Sequence, residues 1–311
     1  MVSREAPGFR SAVPCCVGAA AGCSCVAPCL CVLPGVRAAR HADVVREPMK
    51  SPIQYFGAKT NIAEQLVGLM PEHRGYIEPF AGSLSVLLAK PASKIEIVND
   101  LDRHLLTFWR VLRDNGEELL RRADLTPHSR EALREAAELD GDDDISVALQ
   151  VWVLLTQGRS RTMKRTGWRF YADPTGTNAS FQTYMDAYRR RLGPTMDRIR
   201  SVSLECRPAL EVVAQYGAFQ DNLLYVDPPY LASTRRAGRY THEMGGKEEH
   251  TALAAALNSC NAKVMLSGYP SALYDELYAD WNRIDIGARS DNAITRCVAE
   301  SVWMNYEPPG R

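Results

Sequence analysis

Short apolar runs alternate with longer amphipathic stretches from Met49 to the end of the chain. The runs "GYIEPF", "KIEIVND", "NLLYVDPPY" and "KVMLSGY" have the length and composition of buried strands, and "RIDI" and "CVAESVWMNY" are typical of two more. Between them, "SVLLAK", "RHLLTFWRVLRDNG", "HTALAAALNSCN" and "SALYDELYADW" space their apolar residues as helices do. This alternation predicts an α/β protein built on a parallel sheet.

The alternation is interrupted between residues 117 and 200, where an acidic helical stretch and the apolar "ISVALQVWVLL" precede a long basic segment. Residues 158–200 contain ten arginines and lysines against three aspartates, with aromatic residues between them. Such a segment can grip phosphates and stack on bases, or it can be a solvated helix whose aromatics face a local core. The candidate DNA-binding residues are Arg159, Arg161, Lys164, Arg165, Trp168 and Arg169.

Composition sets the class of protein. The chain has 311 residues, 46% of them hydrophobic and 24% charged, which predicts a folded protein of one or two domains. Its formal net charge of +0 argues against indiscriminate coating of nucleic acid, although a neutral total can hide a basic face. Beyond the first residues, no segment approaches the ~20 uninterrupted apolar residues that span a bilayer, so no membrane is expected as a partner.

The first 48 residues differ in composition from the rest. They contain six of the nine cysteines, so the body of the protein has the cysteine content of a reduced, cytoplasmic protein. A secretory signal is an alternative interpretation, but Pro14 and Pro28 interrupt any helix there. The Cys-x-Cys pairs lack the spacing of zinc sites, and no metal is expected. We therefore expect residues 1–48 to be an unstructured extension and Met49 to open the folded domain.

Polar residues and a glycine follow the first two predicted strands. After the first strand, Gly82 permits the backbone to approach a ligand closely at a helix start. Asp100 ends the second strand eighteen residues later, close to the ~20-residue spacing at which an acid accepts the hydroxyls of an adenosine ribose. Gly82 alone is compatible with a turn and Asp100 with a helix cap, but together they favour an adenosyl ligand.

The third strand ends in Asp227-Pro228-Pro229-Tyr230. An exocyclic amine of a nucleobase is a poor nucleophile, because its lone pair is delocalised into the ring. The Asp227 carboxylate and the Pro228 carbonyl can accept both amino hydrogens and free that lone pair for attack on a methyl sulfonium. Tyr230 offers a ring on which a flipped base can stack. The structural alternative is a proline-terminated strand with a capping Asp and a packed Tyr.

The order of these segments resembles that of the Dam-type, D12-like N6-adenine DNA methyltransferases, which include many phage members. "SPIQYFGAK" is similar to the family's opening cofactor motif, "YIEPFAGSLSVLL" to its Gly-containing motif, "VNDLDRHL" to its ribose-binding strand end and "YVDPPY" to its catalytic motif. "EEHTALAAAL", "VMLSGY" and "ESVWMNYEP" follow in the family's order, so the resemblance covers residues 51–308. It implies a Rossmann-like S-adenosylmethionine-dependent methyltransferase sheet with an inserted, mainly helical target-recognition domain.

Strand ends and resemblance together give the expected site. The catalytic residues are expected to be Asp227, Pro228, Pro229 and Tyr230. The residues expected to bind S-adenosyl-L-methionine are Tyr55, Gly57, Lys59, Glu78, Phe80, Gly82, Asp100 and Asp227. Glu78 is also a candidate to hold its loop through backbone N–H groups, and His250 is expected to be structural, because attack needs no general base. Leu84 departs from the family, since many relatives have a second glycine there.

The resemblance also implies the domain plan and the reaction. Residues 49–116 and 201–311 are expected to form the catalytic domain, and residues 117–200 the inserted target-recognition domain. The leading hypothesis is methylation of adenine N6 in double-stranded DNA by base flipping. N4-cytosine methylation and a non-catalytic DNA-binding protein on the same fold are the alternatives. The protein is expected to be a monomer, with a cognate restriction endonuclease as a candidate partner.

Overall fold

The computed structural model describes residues 49–164, 166–170, 180–231, 233, 240–287 and 300–310. All the described residues belong to one compact unit, Glu47–Arg311. The predicted extension, residues 1–48, and the candidate DNA-binding residue Arg165 lie outside the described residues.

A single mixed sheet forms the centre of the described part of the chain. Its seven strands are β1 (Gly75–Glu78), β2 (Ile95–Asn99), β3 (Ser203–Glu205), β4 (Asn222–Val226), β5 (Lys263–Gly268), β6 (Asn282–Ile286) and β7 (Glu300–Met304). The order across the sheet is β3-β2-β1-β4-β5-β7-β6. Neighbouring strands from β3 to β5 pair in parallel, whereas β7 runs antiparallel to both β5 and β6.

The strand order places a topological switch between β1 and β4. From β1 the chain moves outward to β2 and β3, and it then returns to pair β4 with the other edge of β1. Gly75 is in register with both Ile95 of β2 and Asn222 of β4, so these three strands end at the same edge of the sheet. Ligands of open α/β sheets bind at such an edge.

Ten helices accompany the sheet within the described residues. They are α1 (Ala63–Gly68), α2 (Ser85–Ala89), α3 (Arg103–Asp114), α4 (Gly116–Leu125), α5 (Arg130–Ala136), α6 (Asp144–Gln157), α7 (Phe181–Ile199), α8 (Ala209–Tyr216), α9 (Lys247–Asn258) and α10 (Ala272–Leu277). Polar side chains cap several of them: Asp102 accepts hydrogen bonds from the backbone N–H groups of His104 and Leu105 at the start of α3.

Alternation along the strands produces two hydrophobic layers. On β4, Leu223 and Tyr225 pack into one layer, whereas Leu224 and Val226 pack into the other. Helices α1 to α7 supply the first layer, and α8, α9 and α10 supply the second. The sheet is therefore covered on both faces, as its apolar strands require.

The helices α4 to α7 occupy the stretch predicted as an insert. Their buried residues, such as Trp152 of α6 and Leu192 of α7, belong to the same hydrophobic layer as Tyr76 of β1. The described part of this stretch is mainly helical, with one antiparallel bridge between Gly158 and Trp168. Its role in target recognition remains a prediction.

The predicted α/β class and the parallel core of the sheet are confirmed. The elements without a counterpart in the sequence analysis include the edge strand β3 and the helix α8. β3 has only three residues, which is too short for an apolar period to be visible.

Candidate active site

A cavity of about 540 Å³ opens at the carboxyl ends of β1, β2 and β4. Cavities of about 300–1,000 Å³ hold small organic ligands, so an adenosyl compound fits by size. All eight residues that the sequence analysis assigned to the cofactor line it, namely Tyr55, Gly57, Lys59, Glu78, Phe80, Gly82, Asp100 and Asp227. The structure thus brings them together, and their binding roles remain proposals.

Gly82 and Asp100 are joined directly across two strand ends. The Gly82 N–H donates to Asp100 Oδ2 at 2.9 Å, and Asp100 Oδ1 accepts from the Asp102 N–H at 2.9 Å. Gly82 has a φ of +49°, a region that favours glycine, and a Cβ there would lie 3.3 Å from the Tyr55 ring. Burial raises the pKa of Asp100 to about 6. The carboxylate therefore lies fixed at the cavity wall, where it can accept further hydrogen bonds.

Leu84, the departure from the family pattern, also adopts the left-handed conformation. Its φ of 54° and ψ of 24° lie in the region that glycine favours. Its side chain is fully buried in the first hydrophobic layer. Leucine thus keeps the backbone conformation of a glycine position and adds apolar contact, at a cost in backbone strain of roughly 1 kcal/mol or more.

Asp227, directly after β4, forms the centre of a charged cluster. Lys59 Nζ lies 2.6 Å from Asp227 Oδ2 and 3.3 Å from Glu300 Oε1, and it also donates to the Gly57 carbonyl at 2.7 Å. The other oxygen, Asp227 Oδ1, is buried without a hydrogen-bond partner among the described residues. Buried acceptors are normally paired, so this oxygen is available to a donor from a ligand.

The pKa values of this cluster follow from burial and neighbouring charge. Burial raises the pKa of Asp227 to about 6, with Glu300 also raising it and the neighbouring Lys59 and Tyr230 side chains lowering it. Burial lowers the pKa of Lys59, but the Asp227 and Glu300 carboxylates outweigh this effect and hold it above its ordinary value. Lys59 is therefore an ammonium at neutral pH, and Asp227 is mostly a carboxylate.

Tyr230 is held beside this cluster. Its hydroxyl donates to Glu300 Oε1, and its ring packs edge-on against Tyr269, with centroids 4.7 Å apart and planes at 70°. Lys59 Nζ lies 5.1 Å from the centre of the Tyr230 ring. Pro228 is buried and Pro229 lines the cavity. The tetrapeptide thus meets the cavity at its Asp227 and Pro229 positions.

Glu78 is a buried carboxyl at the cavity wall. Its Oε1 accepts from the Tyr76 hydroxyl at 2.6 Å and from the backbone N–H of Leu87 at 2.9 Å. Burial raises the pKa of Glu78 to about 8. It is therefore largely protonated at neutral pH, and it ties β1 to α2 as well as lining the cavity.

Residues of the polar segment directly before α9 line part of the cavity, and the sequence analysis did not include them among the site residues. They include Tyr240, His242 and Met244. Gly57, with a φ of +80°, lies against Tyr240, whose hydroxyl would stand 2.5 Å from a Cβ at that position. His250 is buried outside the cavity, within hydrogen-bond distance of the Met244 carbonyl and the Tyr274 hydroxyl at 2.9 Å each. These contacts support the structural interpretation of His250.

Glu300 and Tyr269 were also missed. Both follow the pattern that polar and aromatic side chains cluster at strand ends: Tyr269 directly follows β5, and Glu300 begins the antiparallel β7. For Tyr269 the signal was present in "VMLSGY". For Glu300 it was absent, because the antiparallel direction of β7 could not be seen in the sequence.

The candidate DNA-binding residues fall into two groups. Arg159, Arg161 and Lys164 are exposed. Trp168 and Arg169 are half-buried: the Trp168 ring stacks on His128 with centroids 4.2 Å apart, and Arg169 donates to Gln54 Oε1 at 2.7 Å. Those two side chains already have contacts within the protein.

Fewer basic side chains of residues 158–200 face solvent than the composition of that segment indicates. Arg198 is 11% exposed, and its guanidinium donates to both Glu96 oxygens and to the Leu87 carbonyl. Arg189 is 17% exposed and donates to the Ala123 carbonyl. Part of the positive charge in residues 158–200 therefore anchors α7 to its neighbours and does not face solvent.

Two absences concern the described residues. Within them, no helix is long and apolar enough to cross a membrane. Among the same residues, no group of three or more His, Cys, Asp or Glu side chains is placed to hold a metal ion.

The parallel sheet with a reversed last hairpin, the cavity at its switch point and Asp-Pro-Pro-Tyr at the cavity edge define a Rossmann-like methyltransferase. The sequence pattern of the D12 class N6 adenine-specific DNA methyltransferases matches residues 55–292, and the chain belongs to that family. It is an adenine DNA methyltransferase. The family implies S-adenosylmethionine as methyl donor and DNA as substrate.

Known proteins similar to the chain include two from lactococci. Type II methyltransferase M1.LlaDCHI of Lactococcus lactis subsp. cremoris is 27% identical over 280 residues, which cover 81% of this chain and 94% of that protein. Modification methylase LlaI of Lactococcus lactis subsp. lactis is 20% identical over 236 residues, 71% of this chain but only 37% of that longer protein.

Among solved structures, the rRNA methyltransferase aviRa from Streptomyces viridochromogenes is 15% identical, with a TM-score of 0.32, over 78% of this chain and 81% of that one. A TM-score this low supports no argument about function.

Proposed function

We propose that the chain methylates N6 of an adenine flipped out of duplex DNA, with the cofactor in the cavity and Asp227 at the reacting amine. The observation that carries this proposal is Asp227 Oδ1, a buried carboxylate oxygen without a partner among the described residues, beside a cavity of adenosyl size. A preorganised acceptor of this kind stabilises a developing positive charge on the amine.

Cofactor binding is assigned to the strand ends. Asp100, fixed by two backbone N–H groups, would accept hydrogen bonds from ribose hydroxyls. The Tyr55 ring and the Gly82 backbone lie close to each other, and both would contact the ligand. When bound, S-adenosylmethionine supplies an electrophilic methyl group. Its sulfur keeps the electron pair of the sulfur–methyl bond that breaks.

The chain's own groups act on the target base. Asp227 Oδ1 would accept one amino hydrogen and the Pro228 carbonyl the other, which draws the nitrogen lone pair out of the ring. After transfer the nitrogen must lose one proton, and the Asp227 carboxylate can accept it, since burial raises its pKa to about 6. Tyr230 would present its ring to the flipped base.

DNA contact is assigned to the exposed side chains of the segment 158–164. Arg159, Arg161 and Lys164 are exposed, and the Arg161 carbonyl accepts the Phe56 N–H at 2.8 Å, next to the cavity residue Tyr55. Cations at this place can hold phosphates while the base enters the site. This supports residues 117–200 as the target-recognition insert of a catalytic domain formed by residues 49–116 and 201–311.

Cellular setting and partners complete the proposal. Cys206 and Cys260 are both free thiols among the described residues, which suits a reducing cytoplasm. The similar proteins are named a type II methyltransferase and a modification methylase, and this favours a cognate restriction endonuclease as partner. A monomer suffices, because one chain supplies every group named here.

The test is product analysis with the full chain. Duplex DNA is incubated with labelled S-adenosylmethionine, digested and analysed by nucleoside mass spectrometry, and the intact product is sequenced by a modification-sensitive method. We expect N6-methyladenine in one fixed sequence context. N4-methylcytosine as the product would contradict the base assignment, and DNA binding without any transfer would favour the non-catalytic alternative.

A further inference from the structure

Glu300 lies in contact with the proposed reacting groups, although no role is yet assigned to it. It is the first residue of β7, and its side chain is 15% exposed. Its Oε1 accepts the hydroxyl of Tyr230 and lies 3.3 Å from Lys59 Nζ. The Glu300 carboxylate therefore contacts both the Tyr230 hydroxyl and the Lys59 ammonium, whose residues flank Asp227.

Lys59 is shared between two carboxylates at unequal distance. Its ammonium is 2.6 Å from Asp227 and 3.3 Å from Glu300, and it is itself buried. A single cation bound by Asp227 alone would occupy much of that carboxylate's capacity to accept hydrogen bonds. A second carboxylate draws the ammonium toward itself, so Asp227 keeps electron density for a donor from the ligand.

Tyr230 needs a fixed orientation to present its ring. A tyrosine ring can turn about two side-chain bonds, and the edge-on contact with Tyr269 restrains one part of it. The hydrogen bond to Glu300 restrains the other end, at the hydroxyl. Because Glu300 pairs with Ile286 of β6, and the following residues of β7 pair with both β5 and β6, Glu300 is attached to the sheet.

We propose that Glu300 is a positioning residue for base methylation: it orients the Tyr230 ring and shares the Lys59 ammonium with Asp227. This inference rests on the proposed function, in which Asp227 and Tyr230 meet the flipped base. Glu300 itself contacts neither the base nor the cofactor in this proposal. Its effect is transmitted through two neighbours that do lie at the site.

The proposal has an electrostatic consequence that a purely structural contact would lack. Several titratable side chains lie near Asp227. They are Lys59 before α1, Glu78 of β1, Tyr225 of β4, Tyr230 after β4, Tyr269 after β5, Tyr274 of α10 and Glu300 of β7. Burial and the Glu300 charge both raise the pKa of Asp227. Neutralising Glu300 therefore lowers that pKa, and it gives Asp227 a larger share of the Lys59 charge, which acts in the same direction.

The test compares Glu300→Ala and Glu300→Gln in the full chain, with Glu307→Ala as control. Glu307 is an exposed acid seven residues further along. With saturating cofactor, Glu300→Ala should lower the single-turnover methyl-transfer rate at least ~10-fold, because misplacement by about 1 Å costs up to ~10²-fold. Glu300→Gln keeps an acceptor for Tyr230 and should lose less. Glu307→Ala should match the unaltered chain.

The pH profile separates positioning from simple stabilisation. In Glu300→Gln the acidic limb of the rate profile should move to lower pH. In Tyr230→Phe, which leaves the Glu300 charge in place, it should not move to lower pH. A Glu300→Gln limb that stays in place or moves to higher pH would overturn the shared-cation part of the proposal.

A double-mutant cycle tests the link to Tyr230. Glu300→Ala and Tyr230→Phe remove the same hydrogen bond, so the rate loss of the double variant should be smaller than the product of the single losses. Fully multiplicative losses, or a normal rate for Glu300→Ala while Asp227→Ala is inactive, would overturn the inference alone. A normal rate for Asp227→Ala would instead refute the proposed function on which it rests.

Discussion

At the residue scale, the site depends on a carboxylate that is only half paired. Asp227 Oδ2 is bound by Lys59, whereas Oδ1 is buried without a partner among the described residues. An unpaired buried acceptor costs about 1–3 kcal/mol. Binding of the target amine would remove this cost. In the proposed mechanism, the oxygen that lacks a partner in the free protein therefore gains a hydrogen bond in the reacting complex.

The first prediction concerns pH. Burial raises the pKa of Asp227 to about 6, above the ordinary value of about 3.9 for an aspartate. The carboxylate form, which accepts the hydrogen bond, is then lost as pH falls through about 6. We expect the single-turnover rate to fall about tenfold per pH unit below that value.

The measurement must use saturating cofactor. Burial also raises the pKa of Asp100 to about 6, so acid is expected to weaken cofactor binding as well. A rate at saturating cofactor that remains constant down to about pH 4 would show that the Asp227 charge is not needed.

Much of the site at this scale could be predicted from the sequence, because its residues directly follow apolar runs. Gly82, Asp100 and Asp227 all line the cavity as expected. Glu300 could not be predicted, since its place depends on how β7 pairs with β5. The inward turn of Arg169 toward Gln54 was equally invisible, because it joins residues 115 positions apart.

At the scale of elements, the loop before α1 joins the basic segment to the cavity. Gln54 accepts from Arg169, and the Phe56 N–H donates to the Arg161 carbonyl. Tyr55, between them, lines the cavity. Neighbouring residues of one short segment thus contact the basic loop and line the cavity.

The second prediction separates the exposed basic side chains of the segment 158–169 from the half-buried Arg169. Replacing the exposed Arg159 and Lys164 together by Ala should weaken DNA binding and flatten its salt dependence, by up to about one log unit of slope for each phosphate that no longer binds a cation. Cofactor affinity should be unchanged. The measurement is DNA affinity at a series of salt concentrations, with calorimetry for the cofactor.

Arg169→Ala is the comparison, because it removes one positive charge from the same loop at a half-buried position. It should leave the salt slope unchanged and lower the free energy of unfolding by about 1–2 kcal/mol, since the Gln54 and Gly158 oxygens lose a donor. The opposite pattern, a flattened slope for Arg169→Ala alone, would show that Arg169 turns outward to bind phosphate.

Element types were predictable where the apolar period is long. The helix predicted from "RHLLTFWRVLRDNG" is α3, which begins with the Asp102 cap. The acidic stretch predicted as helical, "SREALREAAELDGDDD", is longer than α5, which ends at Ala136. Gly141 and a run of three aspartates follow, and Asp143 instead caps the next helix, α6.

At the scale of the whole molecule, the sheet and helices α4 to α7 share one hydrophobic layer. Trp152 of α6 and Tyr76 of β1 belong to it, and the largely buried Lys90–Glu96–Arg198 cluster connects the end of α2 with β2 and α7. Removing one partner of such a cluster leaves an uncompensated buried charge. Helices α4 to α7 therefore stabilise the sheet against which they pack.

The third prediction concerns the N-terminal residues. A chain that begins at Met49 should fold and methylate DNA like the full chain, because every residue assigned to the site follows that position. Melting temperature and specific activity of the two proteins are the measurements. A shortened chain that fails to fold or loses activity would show that residues 1–48 are needed.

The central claim is that the Asp227 carboxylate accepts a hydrogen bond from the target amine during transfer. It is tested most directly by single-turnover rates of Asp227→Ala and Asp227→Asn with saturating cofactor. Asp227→Ala should lower the rate at least ~10²-fold, the usual cost of removing one preorganised partner, while DNA binding survives. Asp227→Asn keeps an acceptor oxygen and should retain more activity. A near-normal rate for Asp227→Ala would contradict the account.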